Sequence, residues 1–409
     1  MRILESRQAD ELLARRGARM AEAEAVVRPI LDAVRERGDA AALEYSRQFD
    51  GFVGQAFSLS TAGTSKELSP EFRNAVELAA ANVRTYAELQ MPREWSHEVR
   101  PGVKLGQVVR PLETVAAYVP SGRYPLPSTV IMTVVAAQVA GVPNICIASP
   151  KPPREVLGTA EILGIDRVFR IGGAQAIAAF AFGTETIPRA DRIVGPGNIY
   201  VAAAKKLLAG EVGIDFVAGP TEILIIAEDG DPRHLAADML AQAEHDVDAS
   251  AVLLTTSRAL AEAVTAEVEH QLSILPTAPV ACEAIERNSA AVIVGSLDEA
   301  LDLANRFAPE HLSIPDASLL SKVKNAGSVF VGPFSPEAAG DYVSGPNHVL
   351  PTSGAARVRG GLSVMDYVKI ISVQELTADA LARLTPAITA LARAEGLEAH
   401  ARSAEVRLQ

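Results

Sequence analysis

Cysteine is scarce in this chain: Cys146 and Cys282 stand far apart among 409 residues. Two such thiols in a reducing compartment make no disulfide framework. Cys146, within Asn144-Ile145-Cys146-Ile147-Ala148, reads as a small buried hydrophobe, because no histidine or cation adjoins it to lower its pKa. That argues against thiol-dependent aldehyde oxidation. Long apolar runs are missing too: nothing approaches the roughly 20 residues of a membrane span, and the amino terminus lacks the apolar core of a secretory signal. The expectation is a cytoplasmic protein with no membrane partner. Charge of one sign is never blocked, and the net charge of −12 comes from interspersed residues. Nucleic acid is therefore not an expected partner. The G-x-G-x-x-G spacing of the common dinucleotide fingerprint is also missing.

What is present is ordinary for a globular protein, with 48% hydrophobic and 22% charged residues. The length suffices for two or three domains. The first hundred residues read mostly as helix, near Glu22 to Arg37, Ala40 to Gln48 and from Ser69-Pro70 towards Leu89, with a polar loop over 60–65. From Val103 the pattern shifts to short apolar runs alternating with helical periodicity. Strands are expected at 115–119, 145–148, 168–171, 222–227, 251–255, 291–294 and 329–331, with helices between them. Such alternation marks parallel sheets with crossover helices. The chain thus reads as α/β with two lobes and a cleft between them, the usual place for a small ligand. The expected division is a helical segment over 1–20, a first lobe from 21–120 with 224–358, a second lobe over 121–223, and a helical tail over 359–409.

Three strand-to-helix turns carry glycine: Ser121-Gly122-Arg123, Gly172-Gly173-Ala174-Gln175 and Gly195-Pro196-Gly197-Asn198. Glycine lets backbone approach a ligand, and a helix amino terminus favours phosphate. Each alone is an ordinary tight turn; three in one lobe suggest an edge that faces phosphate or a dinucleotide.

A second set of residues suggests chemistry. Asp231 and Pro232 open a helix whose stripe is Leu235, Ala236, Met239, Leu240 and Ala243. Gln242 falls at the edge of that stripe, with His245 on the same side. A buried amide and imidazole need partners. His311, His348 and His400 also sit in polar clusters, whereas His97, His234 and His270 read as surface residues. Gln242, His245, Asp341 and His400 together offer two oxygens and two imidazole nitrogens, a set acceptable to zinc but also to manganese or cobalt. Glu310 and His311 are adjacent, so on a regular strand they would point to opposite faces, and sharing a substrate requires a loop or an irregular strand end. Glu395 and His400 lie about 140° apart on a straight helix, so a shared target requires a bend or a stop at Gly396.

Taken together these motifs resemble the histidinol dehydrogenase family. The resemblance begins with Ile214-Asp215-Phe216-Val217-Ala218-Gly219-Pro220-Thr221-Glu222 and the Gln242-Ala243-Glu244-His245 helix. It extends through the Gly172 and Gly195 turns, Phe307-Ala308-Pro309-Glu310-His311, Gly340-Asp341-Tyr342 and Asn347-His348 to Glu395 and His400. It covers roughly residues 115–400 and is less distinctive before them. The resemblance implies two Rossmann-like, aldehyde-dehydrogenase-like lobes. It also implies a homodimeric enzyme with one Zn2+ per active site, which oxidises L-histidinol through L-histidinaldehyde to L-histidine with two NAD. Carried over motif by motif, Gln242, His245, Asp341 and His400 would hold the metal and meet the substrate. Tyr118, Gln175 and Asn198 would contact NAD. Glu310 and His311 would be the acid–base pair, with Thr221, His348 and Glu395 completing the substrate pocket. The tail, with Glu395 and His400, would serve the partner's site. Other readings stay open at this point: a zinc- and NAD-dependent dehydrogenase of another small alcohol, a zinc hydrolase, or a non-catalytic metal-binding protein.

Overall fold

A computed structural model describes residues 1–9, 12, 19–122 and 124–409. Its contacts form two units, Met1–Gln90 with Glu113–Tyr367, and Met91–Leu112 with Val368–Gln409.

The first unit contains two six-stranded sheets. In the first sheet the spatial order is Arg2–Glu5, Ala290–Ile293, Ser250–Thr255, Glu222–Ile226, His311–Ile314 and Ser328–Val331, with every neighbouring pair parallel. A parallel sheet is covered by helices on both faces, so its strands need apolar side chains in both directions. Strand Glu222–Ile226 meets that demand. Ile223 and Ile225 enter one core with Met239 and Leu240 of helix Pro232–Ala243, while Leu224 and Ile226 enter another with Leu301 and Phe307 of helix Leu297–Phe307.

The second sheet runs Ser58–Ser60, Arg167–Phe169, Asn144–Ala148, Thr114–Tyr118, Arg192–Val194 and Gly213–Ile214, parallel except for its antiparallel edge strand Ser58–Ser60. Helices Arg19–Arg37, Asp39–Asp50, Gly173–Phe182 and Ile199–Leu208 share one core with it, through Val27, Leu31, Ala42, Phe180 and Val201 among others. Cys146 lies in this sheet, 9% exposed, and burial pushes its thiol up to about 11, so it is the inert hydrophobe expected.

The structure corrects several expectations. Arg2–Glu5 is a strand, paired with Ala290–Ile293, where the sequence suggested helix; its partner lies far along the chain and leaves no local signal. The rest of the expected helix over 10–18, apart from residue 12, and Arg123 of the first glycine turn lie outside the described residues. Residues 21–120 were expected in the first lobe, but helices Arg19–Arg37 and Asp39–Asp50 and strand Thr114–Tyr118 build the second sheet's layer. A strand buried on both faces carries the same apolar pattern in either sheet, so periodicity does not reveal which it joins. The loop over 60–65 contains the end of an edge strand and the start of a 3-10 turn, Thr64–Glu67. Residues 359–367 belong to the larger unit rather than to the tail.

The second unit is an antiparallel sheet of Trp95–Arg100, Val103–Pro111 and Val368–Leu376, with helices Ala378–Ala394 and Glu398–Glu405. Trp95–Arg100 carries no strand periodicity, because all six of its residues are exposed and no buried face imposes alternation. The Thr377 hydroxyl caps the first helix by accepting from the Ala380 N–H at 3.3 Å. Gly396, with φ 77°, then stops it, so Glu395 and His400 lie on either side of a helix break. No described helix is long and apolar enough to cross a membrane.

Candidate active site

Glu310 and His311 sit at the amino end of strand His311–Ile314, beside strand Glu222–Ile226 of the first sheet, with Ile223 in register with His311. Helix Leu297–Phe307 ends at Ala308, which adopts the left-handed region at φ 52°. The kink, followed by Pro309, makes Glu310 an irregular lead-in to the strand, so Glu310 and His311 turn to the same side. Their Oε2 and Nδ1 atoms are 3.8 Å apart. Both are buried, 6% and 3% exposed. Glu310 Oε2 accepts from the Thr221 hydroxyl at 2.5 Å and from the Glu222 N–H at 3.0 Å. Burial nevertheless raises its pKa, against the pull of His311 and those hydrogen bonds.

His311 Nδ1 lies 3.2 Å from the Glu222 carbonyl oxygen, which orients the ring and leaves Nε2 facing inward. Nε2 is buried with no hydrogen-bond partner among the described residues, and Asp341 Oδ1 lies 3.6 Å from it. Burial works against charge on this ring, but the carboxylates of Glu337, Glu310 and Asp341 outweigh it and push its pKa up to about 10.

Short helix Glu337–Tyr342 delivers the other two carboxylates. Glu337 is 2% exposed and its Oε1 is 3.5 Å from His311 Nδ1; burial pushes its pKa up to about 8. Asp341 shifts the other way: burial opposes ionisation, but contacts with His245 and His311 hold it well below the usual carboxylate range. His245 follows the end of helix Pro232–Ala243, its side chain 41% exposed and Nε2 3.7 Å from Asp341 Oδ2. Gln242, fully buried within that helix, lies between Thr221 Oγ1 and Glu337. The amide orientation that satisfies both ends turns its nitrogen to Glu337 Oε2 at 2.9 Å and its oxygen to the Glu222 N–H at 3.2 Å. His348 braces the cluster from behind, with Nδ1 2.7 Å from the Asp341 carbonyl oxygen and Nε2 3.5 Å from Thr129 Oγ1; burial lowers its pKa.

Ligand atoms of His245, Glu337 and Asp341 lie within 4.8 Å of one another. One imidazole and two carboxylates, beside an unpartnered buried His311 nitrogen, suit a divalent cation of the zinc type. Two of the four expected ligands therefore group together, joined by a glutamate that sequence reasoning missed. The signal existed: Glu337 precedes Asp341 by four residues, one turn along the same helical face. Glu222 was missed as well, although its N–H and carbonyl fix Glu310 and His311. Glu395 caps the end of helix Ala378–Ala394 and His400 lies in helix Glu398–Glu405, both in the second unit.

The residues expected to meet NAD follow the carboxyl ends of strands Thr114–Tyr118, Arg167–Phe169 and Arg192–Val194 of the second sheet, the usual ligand edge of such sheets. Tyr118 closes its strand, is 4% exposed, and its hydroxyl oxygen accepts from the Gly173 N–H at 3.1 Å; burial pushes its pKa up to about 12. Gln175, 1% exposed, donates to Asp50 Oδ2 at 3.1 Å. Asn198 caps helix Ile199–Leu208, its side-chain oxygen accepting from the Tyr200 and Val201 N–H groups at 3.1 Å.

Two helix-covered sheets, a buried Glu-His pair and a cation-compatible cluster beside it mark the class as a two-lobed α/β enzyme. Comparison with known proteins makes the class specific. The family model described as histidinol dehydrogenase matches residues 13–408. The histidinol dehydrogenase of Geobacter sulfurreducens is 48% identical over 403 residues, covering 95% of this chain and 94% of that one. That of Thermus thermophilus is 50% identical over 390 residues, covering 94% of each. The crystal structure of histidinol dehydrogenase from Elizabethkingia anophelis superposes with a TM-score of 0.94 at 35% identity, covering 100% of this chain and 98% of that one. The chain belongs to the histidinol dehydrogenase family. An acetylating aldehyde dehydrogenase from Geobacillus thermoglucosidasius, 16% identical with a TM-score of 0.50, shares the fold alone.

Proposed function

We propose that this protein oxidises L-histidinol through L-histidinaldehyde to L-histidine with two NAD, the last two steps of histidine biosynthesis, as a cytoplasmic homodimer. The observation that carries the reading is the convergence of Glu310, His311, Gln242, His245 and Asp341 on one centre, buried except at His245, in a chain of this family. The metal would be held by Gln242, His245, Asp341 and His400, with Glu395 and His400 serving the partner's site, and Tyr118, Gln175 and Asn198 would meet NAD. Support for a dimer comes from the second unit, whose sheet exposes Ile370, Ile371, Val373 and Trp95, each more than 40% exposed.

When bound, zinc would orient the substrate and polarise its groups, and NAD would supply the hydride acceptor. His311 Nε2, which has no hydrogen-bond partner among the described residues, accepts the proton of the alcohol oxygen as hydride leaves the carbon that bears that oxygen. Glu310 removes a proton from the water that adds to the aldehyde, and its raised pKa makes it a stronger base for this task. Once His311 has passed that first proton to solvent, it accepts the hydroxyl proton of the hydrate as the second hydride departs. Thr221 holds Glu310 through its hydroxyl and so links the pocket wall to the base.

Two outcomes test this reading. On a panel of small amino alcohols with NAD, L-histidinol should exceed the others in kcat/KM by on the order of 100-fold or more, because a site built around hydrogen-bonding partners rejects substrates that leave them unpaired. Comparable rates on a simple alcohol would move the assignment to another substrate. Replacing Glu337 by Ala should weaken zinc retention about 10–100-fold, read as metal content after dialysis against a competing chelator, because it removes the carboxylate that fixes Gln242 beside His245 and Asp341. Unchanged retention would leave Glu337 with no part in the metal centre.

A further inference from the structure

A fully buried ion pair in the second lobe takes no part in the chemistry above. Lys205, on helix Ile199–Leu208, is 2% exposed, and Asp215, just after strand Gly213–Ile214, is 5% exposed; Lys205 Nζ and Asp215 Oδ1 are in direct contact. Burying such a pair gains little stability, since desolvating both charges offsets their attraction. What the pair holds is more informative. Both charges close on a single residue: Lys205 Nζ donates to the Gly195 carbonyl at 3.0 Å, and Asp215 Oδ2 accepts from the Gly195 N–H at 2.7 Å. Gly195 has φ 108°, a conformation that suits glycine, and a Cβ there would overlap the Tyr118 carbonyl oxygen.

Asp215 is itself braced. Its Oδ1 accepts from the Phe216 N–H at 2.6 Å, and its carbonyl accepts from Arg359. Another nitrogen of Arg359 donates to both oxygens of Asp366 at 2.9 Å, and Arg192 reaches Asp366 at the same distance. The first residue of the Gly195-Pro196-Gly197-Asn198 turn thus has both backbone polar groups pinned by charges and its back pressed on Tyr118. At the far end Asn198 is committed to capping the next helix.

We infer that Lys205 and Asp215 are positioning residues for the cofactor, a buried clamp that pre-forms the Gly195–Asn198 turn so that NAD meets it already shaped. This rests on the reading that the turn faces NAD. A pre-formed turn spares the ordering cost that binding would otherwise bear. The clamp therefore acts on cofactor affinity and leaves the acid–base centre alone.

The test uses the full-length, zinc-loaded protein with Lys205→Met/Asp215→Leu, which removes both charges together and avoids stranding one. A companion, Lys205→Met/Asp215→Asn, keeps an acceptor for the Gly195 N–H. The first variant should raise KM and Kd for NAD about tenfold, with kcat and the KM for L-histidinol within twofold. The second should recover part of the lost affinity. An unchanged Kd for NAD, or equal losses for NAD and histidinol, would overturn the inference. Asn198→Ala separates it from the reading beneath it: if that substitution leaves the Kd for NAD unchanged, the assignment of the turn to NAD fails, and if it weakens NAD while the double variants do not, only the clamp fails. Should the double variants not fold, hydrogen exchange on the unaltered protein decides. The Gly195 amide should be strongly protected before NAD is added and change little after; an amide that exchanges freely until NAD binds would show that the cofactor orders the turn.

Discussion

Replacing His311 by Asn should lower kcat by about 10²–10⁴-fold for both L-histidinol and added L-histidinaldehyde, the range over which a positioned base acts. Replacing Glu310 by Gln should act unevenly, sparing the first hydride transfer and depressing the second. The difference follows from what each side chain faces. His311 presents an unpartnered Nε2 to the centre of the site, where every proton that accompanies a hydride must go. Glu310 is tied by one oxygen to Thr221 and Glu222, a geometry suited to drawing a proton from water rather than from the alcohol. Both substitutions keep the scaffold: an Asn amide can still donate towards the Glu222 carbonyl, and a Gln oxygen can still accept from Thr221. Single-turnover NADH formation from histidinol, set beside NADH formation from the aldehyde, separates the two steps. Equal losses on both substrates in both variants would sink this division of labour.

The sequence revealed those two residues as neighbours but not how they could share a target. Alternation along a strand separates adjacent side chains, and only the left-handed Ala308 and the irregular start of the strand turn Glu310 and His311 to one side. Gln242 and His245 were legible because a helical stripe exposes a polar intruder. Glu337 was not, since a lone glutamate at a helix start usually reads as a first-turn acid facing water, and only tertiary packing buries it under Gln242. Strand order failed for a related reason. Thr114–Tyr118 is apolar on both faces, and nothing in such a run says which sheet it enters. What periodicity carries is local burial; what it omits is the identity of the distant partner that causes it.

The purified protein should form two NADH for each L-histidinol consumed, lose that activity on chelation, and regain it with zinc. The electrostatics of the site explain why removing the cation should cost more than substrate affinity. Without it, His311 faces Glu337, Glu310 and Asp341, and these carboxylates keep its proton up to about 10. A protonated imidazole cannot serve as base, so at neutral pH the chelated protein has its base blocked as well as its substrate unanchored. A divalent charge held by His245 and Asp341 would oppose the same carboxylates and would lower the His311 pKa. The sign is therefore fixed: adding zinc lowers this pKa, and chelation raises it. Titration of the His311 ring by NMR, with and without zinc, reads this directly, and NADH counted per histidinol reads the chemistry. An unshifted His311 would mean that the metal acts on the substrate alone. One NADH per histidinol would mean that the aldehyde leaves before Glu310 can bring water to it.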